Sequence, residues 1–313
     1  EELRSLIATF DTGRLLREGI DTAIVGRPNV GKSSLLNAIV GRKVAIVSDK
    51  PQTTRTRIMG VYTRDPLQLV FLDTPGAHRP RTRLGDFMVK SIGEAVSGVD
   101  AGVLVTEPRR VIREEERQLL RQLQAQKLPV ILAINKIDTL EDKSVLLACI
   151  DAWRKEADFA AVLPLSALTG EGVDDLVAEL SAYAFESPHF FPDDAVSDQP
   201  EQVLAAELLR EKMLLSLREE IPHGIAVTIE SMHERETERG PILDIEANIF
   251  CEKASHKGMI IGKRGTMLKE IASAARLEME ELFGAKVNLQ CWIKVKEDWR
   301  NRQGLLTGFG YKL

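Results

Sequence analysis

From Thr22 onward, short runs of consecutive apolar residues alternate with longer stretches in which apolar positions recur every three or four residues. The runs "TAIVG", "LQLVFLD", "AGVLVTE", "PVILAIN" and "AAVLPLS" are apolar on both faces, the pattern of strands buried in a sheet. Between them "REEERQLLRQLQAQ", "DKSVLLACIDAWRKEA" and "VDDLVAELSAYA" have helical spacing. Strands alternating with helices predict a doubly wound α/β domain with a mostly parallel sheet. "FESPHFFPDDAVSDQPEQ" is rich in Pro, Asp and Ser, has no period, and reads as a linker. Beyond it the pattern predicts helix (203 to 220), strands "GIAVTIESM" and "ILDIEANIF", a short turn into "GKRG", helix (265 to 283), and the strictly alternating strand "VNLQCWIKV". The second domain is therefore α+β.

Composition adds limits. A chain of 313 residues has room for two cores. No apolar run approaches the roughly 20 residues that span a bilayer, and the acidic opening "EELRS" lacks the features of a signal peptide. A cytoplasmic setting is expected. The first residue is Glu1, so the chain is expected to be trimmed or joined to something at its front. Cys149, Cys251 and Cys291 are odd in number and far apart, which supports neither a disulfide framework nor a CxxC metal site. The net charge of -5 hides an asymmetry, because residues 251 to 313 carry 12 Lys and Arg against 7 Asp and Glu. A basic module for nucleic acid attached to an acidic domain has that distribution, and scattered surface lysines would give a milder version.

The chemistry begins at "GRPNVGKS", Gly26, Arg27, Pro28, Asn29, Val30, Gly31, Lys32 and Ser33. Two glycines separated by four residues and followed by Lys-Ser, between strand and helix, form a phosphate-binding loop. Its backbone N–H groups cradle phosphates, Lys32 neutralises the β and γ oxygens, and Ser33 offers its hydroxyl to Mg2+. "DTPG", Asp73, Thr74, Pro75 and Gly76, ends a later strand: Asp73 suits the Mg2+ shell and the Gly76 amide the γ-phosphate. "NKID" supplies Asn135, Lys136 and Asp138. The Asp138 carboxylate can accept both the N1–H and the exocyclic amine of guanine, a donor pair adenine lacks. "SAL", Ser166, Ala167 and Leu168, would bring a backbone N–H to the guanine O6. In "SDKPQTTRTRI", an expected mobile loop, Thr54 or its neighbour Thr53 would complete the Mg2+ coordination.

These motifs in this order resemble the translation-factor-related small GTPases, and "KPQTTRTRI" with "FLDTPGAHRP" is similar to the Era family of bacterial ribosome-assembly GTPases. "FPDDAVSDQPEQVLAAELLREK", "IPHGIAV" and "VKEDWRNRQGLLTGFGY" extend the resemblance from about Asp21 to the C-terminus. The leader "EELRSLIATFDTGRLLREG" is not Era-like and resembles the segment before the G domain of the tRNA-modification GTPase MnmE, as a graft or an unusual extension. Locally it reads as an amphipathic helix beside the G domain.

In "GMIIGKRGTMLKEI", Gly262, Lys263, Arg264 and Gly265 lie between a short and a long helix. Two glycines permit close approach to phosphates, Lys263 and Arg264 supply cations, and Ile260 and Ile261 would floor a groove. With its flanking elements this is the layout of a type II KH domain, which clamps about four nucleotides of single-stranded RNA. The Era resemblance implies which RNA: the 3' end of 16S ribosomal RNA, and so the 30S ribosomal subunit. Trp292 and Trp299 could stack on bases, but Trp292 in its alternating strand reads rather as core. Arg300 and Arg302 either line the RNA path or dock the domains.

Ala77 stands where such GTPases often carry a water-orienting glutamine. Catalysis then rests on Lys32, Thr54, Gly76 and Asn29, whose side-chain oxygen could help bind a monovalent cation against the phosphates. The MnmE and Era resemblance implies that this ion is K+. His78 and Arg79 are weaker substitutes. The expected organisation is a leader helix (1–20), a G domain (21–187), a linker (188–202), a KH domain (203–295) and a tail (296–313). The expected protein is a monomeric, slow GTPase switch using GTP, GDP and Mg2+, with contact to the inner face of the cell membrane at most electrostatic and peripheral. A non-catalytic GTP-binding RNA scaffold and a tRNA-modification GTPase are the rivals.

Overall fold

The computed structural model describes residues 18–77, 80–142, 144–186, 189–218, 220–238 and 240–311. The expected leader helix lies outside the described residues as far as residue 17, as do His78 and Arg79; residues 18 to 20 already belong to the first strand. The chain divides into two compact units. The first holds the described residues up to Ala45, then Arg57–Ala77 and Ser91–Asp198; the second holds Ile46–Thr56, residues 80–90, and the chain from Gln199.

In the first unit the order is β1 (Glu18–Gly26), α1 (Lys32–Val40), β2 (Ile58–Arg64), β3 (Leu67–Asp73), α2 (Arg83–Val96), β4 (Ala101–Thr106), α3 (Glu114–Ala125), β5 (Val130–Ile134), α4 (Ser144–Arg154), β6 (Ala161–Pro164), α5 (Val173–Ser181) and the short β7 (Phe185–Glu186). Of α2, the first half counts with the second unit. The sheet runs β2-β3-β1-β4-β5-β6, with β7 against the start of β1. It is parallel except for β2 and β7. β4 and β5 are buried at every position, because helices cover both faces. In β1, Ile24 enters the core with Leu35, Leu36 and Phe71, whereas Ala23 and Val25 enter the opposite core with Leu104, Leu120 and Trp153.

Much of the expected linker is fixed. Buried Gln68 accepts from Phe190 N and Phe191 N at 2.9 and 3.1 Å and donates to Phe191 O at 3.1 Å. Ser197 Oγ donates to Met59 O at 2.7 Å, and Val61 N donates to Val196 O at 2.9 Å.

The second unit contains α6 (Glu201–Ser216), β8 (Ala226–Thr237), β9 (Gly240–Cys251), α7 (Ala254–Ile261), α8 (Thr266–Phe283), β10 (Lys286–Val295) and α9 (Gln303–Gly308). Its sheet is β10-β9-β8, with β10 parallel and β8 antiparallel to β9. The helix expected to reach 220 stops at Ser216, because Leu217 turns extended (ψ 154°) and is buried in the core. The two tryptophans exchange their expected roles. In β10 the odd positions Val287, Leu289, Cys291, Ile293 and Val295 pack on the core, so Trp292 faces outward and is 57% exposed. Trp299 is fully buried.

Candidate functional site

Between β1 and α1 the chain turns through Asn29 (φ 64°) and Gly31 (φ 91°) and points the N-terminus of α1 into the loop. A Cβ on Gly31 would lie 2.3 Å from Asn135 Nδ2. That amide holds three motifs together: Nδ2 donates to Val30 O at 2.8 Å, and Oδ1 accepts from Lys136 N at 2.8 Å and Ala167 N at 2.9 Å. Lys136, itself left-handed (φ 68°), donates to Asn29 O at 2.5 Å and pairs with Glu107 at 2.6 Å. Glu107 was not among the expected site residues; its place at the carboxyl end of β4 was the available signal. Ser166 Oγ donates to Asp138 Oδ1 at 2.5 Å and accepts from Thr169 N at 3.2 Å, which fixes the carboxylate's orientation. Leu168 is exposed beside it in sequence.

Gly31→Ala is therefore expected to weaken GDP binding more than tenfold, because a left-handed alanine costs about 1 kcal/mol and its methyl displaces Asn135. Gly41→Ala is the control: it has the same handedness (φ 72°) with nothing within 4 Å. Titration of a fluorescent GDP analogue against both variants checks this.

At the phosphate end, Lys32 is buried and donates to Gly26 O and Arg27 O, each at 3.2 Å. Ser33 Oγ donates to Asp73 Oδ2 at 2.6 Å. Asp73 Oδ1 is buried and has no hydrogen-bond partner among the described residues. A buried, unpartnered carboxylate oxygen next to a hydroxyl suits a hard divalent cation, so Ser33 and Asp73 fit Mg2+. Burial pushes the Asp73 carboxyl up to about 6, against the opposing pull of Lys32 and of its bonds with Ser33 and Thr74 N. Burial likewise lowers Lys32, and Asp73 opposes it.

Because the folded carboxyl titrates near 6, the nucleotide-free fold is favoured by protonation as pH falls from 7 through 6, while a cation needs the ionised form. Mg2+-dependent GTP-analogue affinity should therefore fall about tenfold between pH 7 and pH 5, the factor expected from one proton competing at that value. Affinity that stays flat over this range would remove Asp73 from the metal shell.

Thr74 donates from N and Oγ1 to Ile24 O at 3.3 and 2.9 Å, which carries the chain out of β3. A Cβ on Gly76 would come within 2.7 Å of Pro28, so only glycine passes there. Ala77 N donates to Gly26 O at 3.3 Å, and Ala77 packs against the apolar cluster of Val25 and Leu104. A glutamine side chain there would lead into apolar surroundings. Thr53 and Thr54 lie in the second unit, both buried. Thr53 Oγ1 donates to Lys50 O at 2.7 Å and shares a 2.6 Å bond with Ser48 Oγ.

In the second unit α7 ends at Gly262 (φ 72°, ψ -179°), and Arg264 (φ 54°) and Gly265 (φ 80°) are left-handed. This sharp turn exposes Lys263 and Arg264 at the N-terminus of α8, a favourable place for phosphate. Ile260 does not floor a groove as expected. It is fully buried in the core with Ile271 and Ala275, and only Ile261 is partly exposed. A cavity of about 660 Å3 lies between α8 and the edge strand β10, lined by Lys269, Ser273, Asn288 and, among others, Glu280, which pairs with Arg276 at 2.6 Å and Lys286 at 3.3 Å. Arg300 donates to Glu252 at 3.1 and 2.7 Å. Burial raises all three thiols, Cys291 to about 11, which makes them poor nucleophiles.

Comparison with known proteins agrees with this geometry. Residues 21–136 match the family described as 50S ribosome-binding GTPase, and residues 220–300 match the KH domain family. GTPase Era of Clostridioides difficile is 50% identical over 289 residues, covering 92% of this chain and 97% of that protein. GTPase Era of Ruminiclostridium cellulolyticum is 48% identical, covering 93% and 96%. Among solved structures, a variant of Aquifex aeolicus Era bound to GDP.AlF4- superposes with a TM-score of 0.90 at 37% identity, over 95% of this chain and all of that one. A structure of Era in complex with MgGDPNP and nucleotides 1506-1542 of 16S ribosomal RNA matches with the same score, identity and coverage. Identity of 50% sustained through both units, with neither protein left short, is a relationship of whole chains rather than of one shared domain: the chain belongs to the Era family of GTPases.

Proposed function

We propose that this protein is a GTP-hydrolysing switch that binds the 3' end of 16S ribosomal RNA through its KH unit and assists assembly of the 30S subunit. The supporting observation is that one chain carries both a guanine-reading carboxylate, oriented by Ser166, and the exposed GKRG loop. The G domain runs from 21 to 187, the linker from 188 to 202, the KH domain from 203 to 295 and the tail from 296 to 313.

Gly26 to Ser33 wrap the phosphates, with Lys32 on the β and γ oxygens. Asn135, Lys136 and Asp138, with Ser166 to Leu168, hold the guanine. Ser33, Asp73 and Thr54 are the metal-holding residues. The Thr53 hydroxyl is engaged with Lys50 and Ser48. Bound Mg2+ would neutralise charge on the β and γ oxygens. The Gly76 amide faces the γ-phosphate, and with Ala77 unable to orient water, Asn29 supplies the remaining charge stabilisation by holding K+ beside the phosphates.

On the RNA side Gly262 to Gly265 grip the backbone. Among the described residues no helix is long and apolar enough to cross a membrane. We place the protein in the cytoplasm as a monomer, with any membrane contact peripheral and electrostatic.

The test is phosphate release from GTP in K+ and in Na+ buffer, with and without a short single-stranded RNA matching the 16S 3' end, with Lys32→Ala as the inactive control. Faster turnover in K+ and a further rise with RNA are expected. Turnover no higher than that of the control would leave a GTP-binding scaffold, and equal rates in the two salts would remove the role of Asn29.

A further inference from the structure

Two segments that follow the phosphate motifs in the chain are built into the second unit. Ile46–Thr56 has no helix or strand of its own, and buried charged groups hold its backbone. Val47 N donates to Glu211 Oε1 at 2.8 Å, and buried Arg210 donates to Thr53 O. Arg55 is 2% exposed. Its Nη1 donates to Ile225 O at 2.6 Å and to Tyr311 Oη at 3.5 Å, its Nη2 donates to His223 O at 3.1 Å, and the guanidinium lies 5.6 Å from the Trp299 ring centroid. The second segment reaches the same residues. Leu84, Phe87 and Met88 pack in one buried cluster with Trp299, Leu306 and Tyr311, and the rings of Phe87 and Tyr311 meet edge to face at 5.6 Å.

A leucine would fill such a site if packing were the whole purpose. A buried arginine held by carbonyls and an aromatic ring instead demands one geometry, and its Nε has no acceptor among the described residues. Burial lowers the Arg55 proton affinity and the like charge of Arg210 adds to this, while Tyr311 and Glu207, paired with Arg210, oppose it.

We propose that Arg55 is a positioning residue that seats the Thr53–Thr54 segment on Trp299 and Tyr311, and that nucleotide state and RNA binding are coupled through these three side chains. The inference rests on the switch reading above and adds the residues that carry the coupling. The tail residues then sense both segments, since Trp299 and Tyr311 touch each of them.

Arg55→Ala and Tyr311→Phe in the full chain test it through hydrogen exchange of residues 46–56 and through GTP turnover with and without the single-stranded RNA. In Arg55→Ala, residues 46–56 should exchange faster while the β8–β10 sheet keeps its protection. Its kcat should fall about tenfold with KM within about twofold, as for a misplaced group that does not itself bind substrate. RNA should no longer alter its turnover. Tyr311→Phe keeps the ring against Phe87 and should lose only part of the RNA response, which keeps the test decisive if Arg55→Ala fails to fold. Arg55→Ala with parental exchange, or both variants with parental turnover and RNA response, would overturn the proposal. A parent without turnover would instead refute the switch reading, and the exchange comparison would still decide whether Arg55 seats the segment.

Discussion

Replacing Asp138 with asparagine is expected to lower the affinity for GTP about a thousandfold and to admit xanthosine triphosphate in its place. The carboxylate offers acceptors only, matched to the N1–H and exocyclic amine of guanine. In asparagine one of these oxygens becomes an N–H2 that faces the exocyclic amine, donor against donor, while the other oxygen keeps the Ser166 Oγ bond and accepts the N1–H. Xanthine has an oxygen where guanine has the amine, and that oxygen can accept from the asparagine amide. Competition titrations with GTP and xanthosine triphosphate read both halves of the prediction. Unchanged GTP affinity would place the base elsewhere.

The RNA half should fail as sharply, and separately. Gly265→Asp, alone and with Gly262→Asp, should weaken binding of the single-stranded RNA about a hundredfold and leave GDP affinity unaltered, because each adds an anion where the backbone must approach phosphates. The two positions differ in an informative way. A Cβ on Gly265 meets nothing within 4 Å, whereas one on Gly262 would sit 2.6 Å from Met267 Cβ. Gly265→Asp thus tests charge with little disturbance of packing, and Gly262→Asp adds a clash. RNA affinity that survives both would move the RNA site away from the loop.

The sheet and its chemistry were legible because a parallel sheet covered on both faces writes itself as apolar runs, and the phosphate loop sits where one such run breaks into a helix. Asn135, Asp138 and Ser166 could be placed from motif spacing alone. Their mutual bonds could not, because they join loops far apart in sequence. The Trp292 expectation failed for a plain reason: alternation in β10 shows that two faces differ, and only the register of Val287 and Leu289 on the core says which face is which. Ile260 was misplaced similarly, since two adjacent apolar residues at a helix end cannot both face a groove. Arg55 and Arg210 were invisible because an arginine in a polar loop, or one set among apolar residues of a helix, looks solvated until its neighbours are known.

The winding of the chain between its two compact units has a practical consequence for anyone dividing the molecule. The loop at Asp198–Gln199 invites a cut, but only one of several crossings lies there. A fragment ending at 198 would carry Leu84, Phe87 and Met88 without the aromatic residues that cover them, and a fragment starting at 199 would leave the Arg55 seat beside Trp299 empty. Each piece is expected to be stickier and less soluble than the intact protein, so a truncated G half that aggregates would reflect where the scissors fell rather than an inherently weak domain.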